Sequence, residues 1–402
     1  MDALIVGGGI AGPVTAMALQ RAGVDARILE SHPPDDGEAG SYFTLTANGL
    51  AALDAIDARG LAEAGGFPTR RNVLWNDAGR RLATLPLDSR LPDSPVARTM
   101  KRSRLARILR DEAVRRGIRV EYGRPVASVA VAPDGRAAAV FEDSGRAEAD
   151  LLVGADGIHS VVRHSIDKTA PVGRYVGLTN FGGITPGAAA GIEPEAWHLI
   201  FGRRAFFGYQ ATPAGDVVWF ANVPEPLISP EKRTATSEVA WRMRLIELFR
   251  ADAGPAVALI DGGRLELAAD NTHDLGHVPI WHRGPLVLVG DAAHAPAPTS
   301  GQGASMAIED AIVLARAIRD RDSIPTAFAE YERLRRDRVE RIVAWGARGS
   351  SDKIPGRFGR LTRDVVMRLV FRFLVTEKSL GWMYDYRVDW DGSSTQATAS
   401  AA

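Results

Sequence analysis

Residues 2–30 read DALIVGGGIAGPVTAMALQRAGVDARILE, and this stretch decides the fold. The run ALIV at 3–6 is short and wholly apolar, as suits a strand covered on both faces. Three glycines follow, then a helical stretch with Val14, Met17 and Ala18 on one face. Pro13 falls in the first helical turn, where no amide partner is lost, and Gly23 is a helix stop. DARILE at 25–30 is a second strand, so the unit is strand–helix–strand with a parallel pair. Within it lies Gly7-x-Gly9-x-x-Gly12. The first glycine permits a tight turn, the second lets backbone approach a pyrophosphate, and the third lets helix and strand pack closely. Free amides at the helix start favour the phosphates. Glu30 closes the second strand about 20 residues on, where an acid meets a ribose hydroxyl. Together these features predict dinucleotide binding without saying which dinucleotide. No tyrosine is followed four residues later by lysine, which argues against a short-chain NAD(P) dehydrogenase.

Working outward, 31–56 reads as a loop and then a helix from about Asn48, and 73–97 as short strands with turns. A helix is expected from Ser103 as N-cap, with Leu105, Ile108 and Leu109 as its apolar stripe and Gly117 as its end. IRVEYG and PVASVAVA are strands, PDG at 133–135 a turn, and AAAVFED the return of a hairpin. DLLVGADG ends a further buried strand in a loop. Residues 171–268 differ: HLIFG, FFGYQA and VVWFANV alternate with Gly/Pro turns, with one helix near 236–250. This predicts an antiparallel sheet. At 284 the α/β character returns, followed by helices at about 303–320, 325–349 and 361–375. The expected organisation is one α/β domain from 1–170 and 269–345, interrupted by a substrate-binding domain at 171–268, with 73–97 a candidate addition to the latter. C-terminal helices at 346–390 and a disordered tail at 391–402 complete it.

Composition narrows the function. The chain has 402 residues, 46% hydrophobic and 24% charged, with 49 basic and 49 acidic side chains. That is globular, and zero net charge argues against nucleic acid as a partner. Without cysteine there are no disulfides, thiolate metal sites or cysteine nucleophiles. No metal site is expected. No apolar run reaches a membrane span, and the N-terminus enters a strand directly, so a cytoplasmic monomer or homodimer is expected.

Two further motifs carry chemistry: DLLVGADGIHSVVR at 150–163, and GPLVLVGDAAHAPAPTSGQGASMAIEDAIVLARAI at 284–318. Asp291 sits just past a buried strand, where open α/β sheets place ligand contacts. PTSGQGA then leads a glycine-rich loop into a helix N-terminus, which suits a negative group.

The set resembles the single-component FAD-dependent aromatic hydroxylases of the p-hydroxybenzoate and salicylate hydroxylase type, a superfamily that includes tetracycline-inactivating monooxygenases. The three signatures occur in that family's order, and YERLRRDRVERIV at 331–343 is similar to its following helix. The resemblance implies a Rossmann-like FAD-binding domain with an inserted antiparallel-sheet substrate domain. By that likeness Gly7, Gly9 and Gly12 hold the pyrophosphate of non-covalent FAD, and Glu30 its adenosine ribose. Arg102 contacts the flavin side, Val126 the adenine, and Asp156 and Gly157 both FAD and pyridine nucleotide. Asp291 binds the ribityl chain, Pro298 lies beside the ring, and Gly301, Gln302 and Gly303 cradle its pyrimidine edge. Ser31 and Ser305 depart from the residues common in the family. His294 is read as structural.

The implied reaction uses NADPH or NADH as transient reductant and O2, forming a C4a-hydroperoxyflavin that hydroxylates an aromatic or polycyclic small molecule in a dry pocket. Phe181, Phe207 and Tyr209 are expected to line that pocket, Phe207 and Tyr209 sharing a face by strand alternation. Arg204 and Tyr209 are expected to assist deprotonation. Alternatives on the same fold are epoxidation, Baeyer–Villiger-type insertion, halogenation and FAD-dependent reduction. WFANVP at 219–224 matches the halogenase Trp-x-Trp-x-Ile-Pro stretch only at Trp219 and Pro224, and no lysine is near.

Overall fold

The computed structural model describes residues 1–34, 40–87, 89–349 and 377–392. The opening unit forms as its sequence dictates: β1 (Asp2–Val6), α1 (Ala11–Arg21) and β2 (Asp25–Leu29), with β1 and β2 parallel in register Ile5 to Ile28. Next come β3 (Tyr42–Leu45), α2 (Ala47–Ala52), α3 (Arg59–Gly65), β4 (Phe67–Pro68), β5 (Arg71–Asn76), β6 (Arg81–Pro86) and β7 (Arg98–Lys101). Then α4 (Arg102–Arg115) leads into β8 (Arg119–Glu121), β9 (Val126–Val131), β10 (Ala137–Phe141), β11 (Arg146–Ala149), β12 (Leu151–Gly154) and α5 (Val161–Ile166).

The central stretch holds β13 (Arg174–Thr185), β14 (Ala196–Phe201), β15 (Phe206–Ala211) and β16 (Val217–Pro224). After them come α6 (Pro230–Ala235), α7 (Glu238–Phe249), α8 (Ala256–Gly262) and β17 (Arg264–Asp274). The chain returns through β18 (His282–Arg283) and β19 (Leu286–Leu288) to α9 (Gly303–Asp320), α10 (Ile324–Gly349) and α11 (Glu377–Tyr384).

Among the described residues, one sheet has six strands in the order β18-β19-β12-β1-β2-β8, parallel except for the β18–β19 edge. It brings all three signatures to the carboxyl ends of three adjacent parallel strands: the glycine turn after β1, the Asp-Gly motif after β12 and the Gly-Asp motif after β19. Helices α1 and α9 pack together, and α9 is buried nearly all round. A helix so enclosed must partner every charge it carries.

A second sheet has seven strands in the order β17-β13-β16-β15-β14-β5-β6, antiparallel except for the β14–β5 pair. Helices α7 and α8 cover one of its faces. Strands β5 and β6 thus hydrogen-bond to the sheet formed by the 171–268 stretch. A small third sheet, β3-β7-β4, links the two large ones: Trp197 Nε1 donates to Thr44 Oγ1 (2.9 Å) and Thr99 Oγ1 (3.2 Å).

Four expectations need correction. The 31–56 stretch contains strand β3, whose partners on β7 are remote in sequence. Helix α4 starts at Arg102 with Lys101 in the cap position, and Ser103 lies inside the first turn with its hydroxyl buried and unbonded among the described atoms. The 236–250 helix is one of a group, α6, α7 and α8. Strand β17 runs through the 268/269 boundary because it pairs continuously with β13, bulging around Ala269. The 361–375 helix and residues 393–402 of the expected tail lie outside the described residues. No helix among the described residues is long and apolar enough to cross a membrane.

Candidate active site

The glycine turn is built from two constraints and one opening. Gly7 has φ +107°, and a Cβ there would lie 2.4 Å from Ala155 O. A Cβ on Gly12 would lie 1.9 Å from Gly7 O. Both positions are closed by the protein's own backbone. Gly9 has nothing within 4 Å of where a Cβ would point. That open side, next to the amides opening α1 with no acid in its first turn, suits a pyrophosphate.

Glu30 is held from both sides. Its Oε2 accepts from Gly8 N (2.6 Å), and its Oε1 accepts from His32 N (2.8 Å) with His32 Nδ1 at 2.9 Å. Burial opposes the charge, but these bonds win and hold the carboxyl below its ordinary range. Arg110, reaching from α4, donates to Gly8 O at 3.3 Å. Val126 opens β9, partly buried against the same core.

The second signature is rigid because Asp156 caps α5. Its carboxylate accepts from Ser160 Oγ (2.6 Å), Val161 N (2.8 Å) and Val162 N (3.1 Å). Burial nonetheless pushes its carboxyl up. Gly157 follows at φ +76° facing open space. Arg163, passed over in the sequence reading, ties the second signature to the third. It is buried, donating to Ala292 O (3.0 Å), Ile158 O (2.6 Å) and Pro171 O (3.1 Å).

In the third signature, Asp291 Oδ2 accepts from Arg102 Nη2 at 3.0 Å. Residues 189 apart in sequence thus meet at one rim. Pro298 opens a single 3-10 turn ending at Ser300, Gly301 follows in the left-handed region, and Gly303 begins α9. The Gln302 side chain turns inward, and its backbone N–H donates to Ser300 Oγ at 3.2 Å. Its Oε1 accepts from Asn48 Nδ2 (2.9 Å), and its Nε2 donates to Thr46 Oγ1 (3.1 Å). Ser305 Oγ meets the same Thr46 hydroxyl at 2.8 Å.

Behind this loop runs a buried ionic network. Asn48 Nδ2 donates to Glu309 (2.7 Å), which takes Arg338 at 2.9 Å and Arg335 at 2.8 Å. Arg335 also donates to Asp310 Oδ1 (2.7 Å), whose Oδ2 meets His294 Nε2 at 2.5 Å. Burial disfavours both carboxylates, but the facing Arg338, Arg335 and His294 keep them below the usual range. His294 is accordingly structural.

The seven-stranded sheet corrects the expected pocket. Phe207 and Tyr209 do share a face, together with Phe181, Trp219 and His198. That face packs on Trp241, Leu245 and Phe249 of α7. Tyr209 stacks on His198 at 4.9 Å, and burial pushes its hydroxyl up, away from the phenolate form. Arg204 lies in the β14–β15 turn, exposed, donating to Glu247 O (3.4 Å) on α7. Phe181, Phe207, Tyr209 and Arg204 are therefore not brought together with the three signatures. The reason is parity: alternation pairs residues on a face without saying which face a helix covers. The opposite face carries Trp197, Phe206, Phe220, Asn222, Asn180 and Asp270, missed by the sequence reading. The signal available was the apolar stripe of α7, which claims the other set.

The residues present fit FAD. The open sides of Gly9 and Gly301, the bonded acid Glu30 and the Arg102–Asp291 rim lie in the loops that follow the parallel strands, where this fold takes a dinucleotide. A model of the FAD binding domain family matches residues 1–346. The chain belongs to that family. An FAD-dependent urate hydroxylase from Klebsiella pneumoniae is 30% identical over 373 residues, covering 90% of this chain and 92% of the relative. An aurachin C monooxygenase/isomerase from Stigmatella aurantiaca is 29% identical over 382 residues, 92% of this chain and 94% of the relative. The crystal structure of Klebsiella pneumoniae HpxO complexed with FAD and uric acid superposes with TM-score 0.81 at 24% identity, over 95% of this chain and 97% of that one. This family member is an FAD-dependent oxidoreductase of the monooxygenase class, with a Rossmann-like FAD-binding fold.

Proposed function

We propose that the chain is an NAD(P)H- and O2-dependent monooxygenase that hydroxylates a flat aromatic or polycyclic small molecule. The balance is substrate C–H, O2, NAD(P)H and a proton giving hydroxylated product, NAD(P)+ and water. Bound FAD supplies the redox chemistry, taking two electrons from the nicotinamide and passing them to O2. The protein's part is placement and dryness. Gly7, Gly9 and Gly12 shape the pyrophosphate turn, Glu30 takes ribose hydroxyls, and Val126 lies against the adenine. Asp156 and Gly157 fix the loop between the cofactor and the pyridine nucleotide. Arg102 and Asp291 would flank the ribityl chain, Pro298 would lie beside the ring, and the loop at 301–303, shaped by the inward-turned Gln302, would cradle its pyrimidine edge.

The observation that supports this reading best is the position of Arg102. It pairs with Asp291 at the cradle rim, and the preceding Lys101 pairs at 3.0 Å with Glu266 on β17 of the seven-stranded sheet. Cradle and sheet therefore share a border. On the face away from α7, Trp197 and Phe220 meet edge to face with ring centroids 5.2 Å apart, an aromatic wall that keeps water out. In this reading 1–170 with 275–345 carries the cofactor, and 171–274 with β5 and β6 supplies the wall.

The test is the purified holoprotein. One FAD per chain and NAD(P)H oxidation stimulated several-fold by an aromatic substrate support the reading. A flavin-loaded protein whose NAD(P)H consumption no phenol, quinolone or purine changes contradicts it.

A further inference from the structure

Strand pairing sets Asp270, Asn180, Asn222 and Phe206 in one row across β17, β13, β16 and β15, on the face away from α7. The neighbouring row on that face is Leu267, Gly182, Phe220 and Gly208. The Phe220 ring leans over Gly208, where a Cβ would lie 2.3 Å from its Cε1. At Gly182 a Cβ would meet nothing closer than 3.6 Å. Gly182 thus lies between Phe220 and Leu267, next to the polar row.

The polar edge has a definite pattern. Asn222 Nδ2 donates to Asn180 Oδ1. Whichever way the two amides are turned, one whole NH2 group and one C=O are left outside that bond. Among the described residues the Asp270 carboxylate makes no hydrogen bond or ion pair. It is half-buried, and burial pushes its carboxyl up against the opposing pull of Arg233, His273 and Arg102. Lys101, one residue before Arg102, pairs with Glu266 at 3.0 Å, which fixes this part of β17 beside the start of α4. Asp270 is thus a desolvated acceptor at the border of the cofactor cradle, with an amide donor in the next strand.

Resting on the monooxygenase reading, we infer that Asp270 is a specificity-determining residue, and that with the Asn180–Asn222 pair it holds a neutral heteroaromatic substrate by a lactam-type edge. The ring N–H, or an enolic O–H, donates to Asp270, while the adjacent C=O accepts from the free amide N–H. The flat ring system lies against Phe220. An aromatic carboxylate meets Asp270 as a like charge and is disfavoured.

The test titrates FAD-loaded full-length protein with 2-quinolone and with salicylate, following perturbation of the flavin absorbance, which needs no turnover. 2-Quinolone is expected to bind more tightly than salicylate. Asp270→Asn weakens 2-quinolone by about ten- to a hundredfold, as loss of a hydrogen bond to a charged group does, and tightens salicylate, a reversal that mere loosening of the sheet does not produce. Tighter salicylate binding by the wild type, no perturbation by 2-quinolone, or an unchanged affinity in Asp270→Asn overturns the inference. The monooxygenase reading fails separately, through absent NAD(P)H-linked oxygen transfer in protein whose ligand binding is intact.

Discussion

His294 Nε2 lies 2.5 Å from Asp310 Oδ2, and both side chains are sealed from solvent. Asp310 also accepts from Gly290 N at 3.0 Å, one residue before Asp291. A buried carboxylate thus fixes the backbone that presents the cradle's own acid. Removing one partner leaves an uncompensated buried charge, so Arg335→Met is expected to cost about 3–5 kcal/mol. Thermal unfolding at neutral pH measures this.

The same network fixes the sign of the acid response. The folded-state carboxyls of Asp310 and Glu309 sit below their ordinary values. Their stabilisation is complete above the unfolded carboxyl range, near pH 4, and is lost as pH falls below it. Melting temperature is expected to drop steeply on acidification below that range, and less steeply in Asp310→Asn. Melting curves across the acid limb check it.

The glycine turn separates folding from cofactor retention. Gly12→Ala forces a clash with Gly7 O and is expected to lower the melting temperature of cofactor-free protein. Gly9→Val meets open space, so it is expected to leave that temperature nearly unchanged while FAD content falls sharply. Flavin absorbance per chain, measured with the melting curve, distinguishes the two.

Arg102 and Asp291 form a partly exposed pair, worth only about 0–1 kcal/mol to stability. Arg102→Ala is expected to leave unfolding almost unaltered and to weaken FAD binding. Equilibrium dialysis of the flavin against both proteins reads the difference.

The two faces of the large sheet give opposite phenotypes. Phe207→Ala removes a fully buried ring from the α7 core and is expected to cost about 3–5 kcal/mol. Phe220→Ala opens the aromatic wall on the other face, so more NAD(P)H is oxidised without product. Hydrogen peroxide released per NAD(P)H consumed, compared with unfolding free energy, assigns each residue to its face.

How much of this was legible in the sequence depended on whether the signal was local. The glycine turn, Glu30 and the Asp-Gly and Gly-Asp motifs each declare themselves within a few residues. β3 did not, because four residues of YFTL find their partners only on β7. Arg163, Arg110 and Asp310 look like surface charges until the fold buries them beside carbonyls and counter-charges. Phe207 and Tyr209 show the limit of alternation: their shared face was readable, but its cover, α7, is a tertiary fact.

The most direct test of the central claim is mass spectrometry of the product formed by holoprotein with NAD(P)H under isotopically labelled oxygen gas. The account predicts a hydroxylated heteroaromatic product carrying one oxygen atom from the gas. A product whose new oxygen comes from water, or one formed equally well without O2, contradicts it.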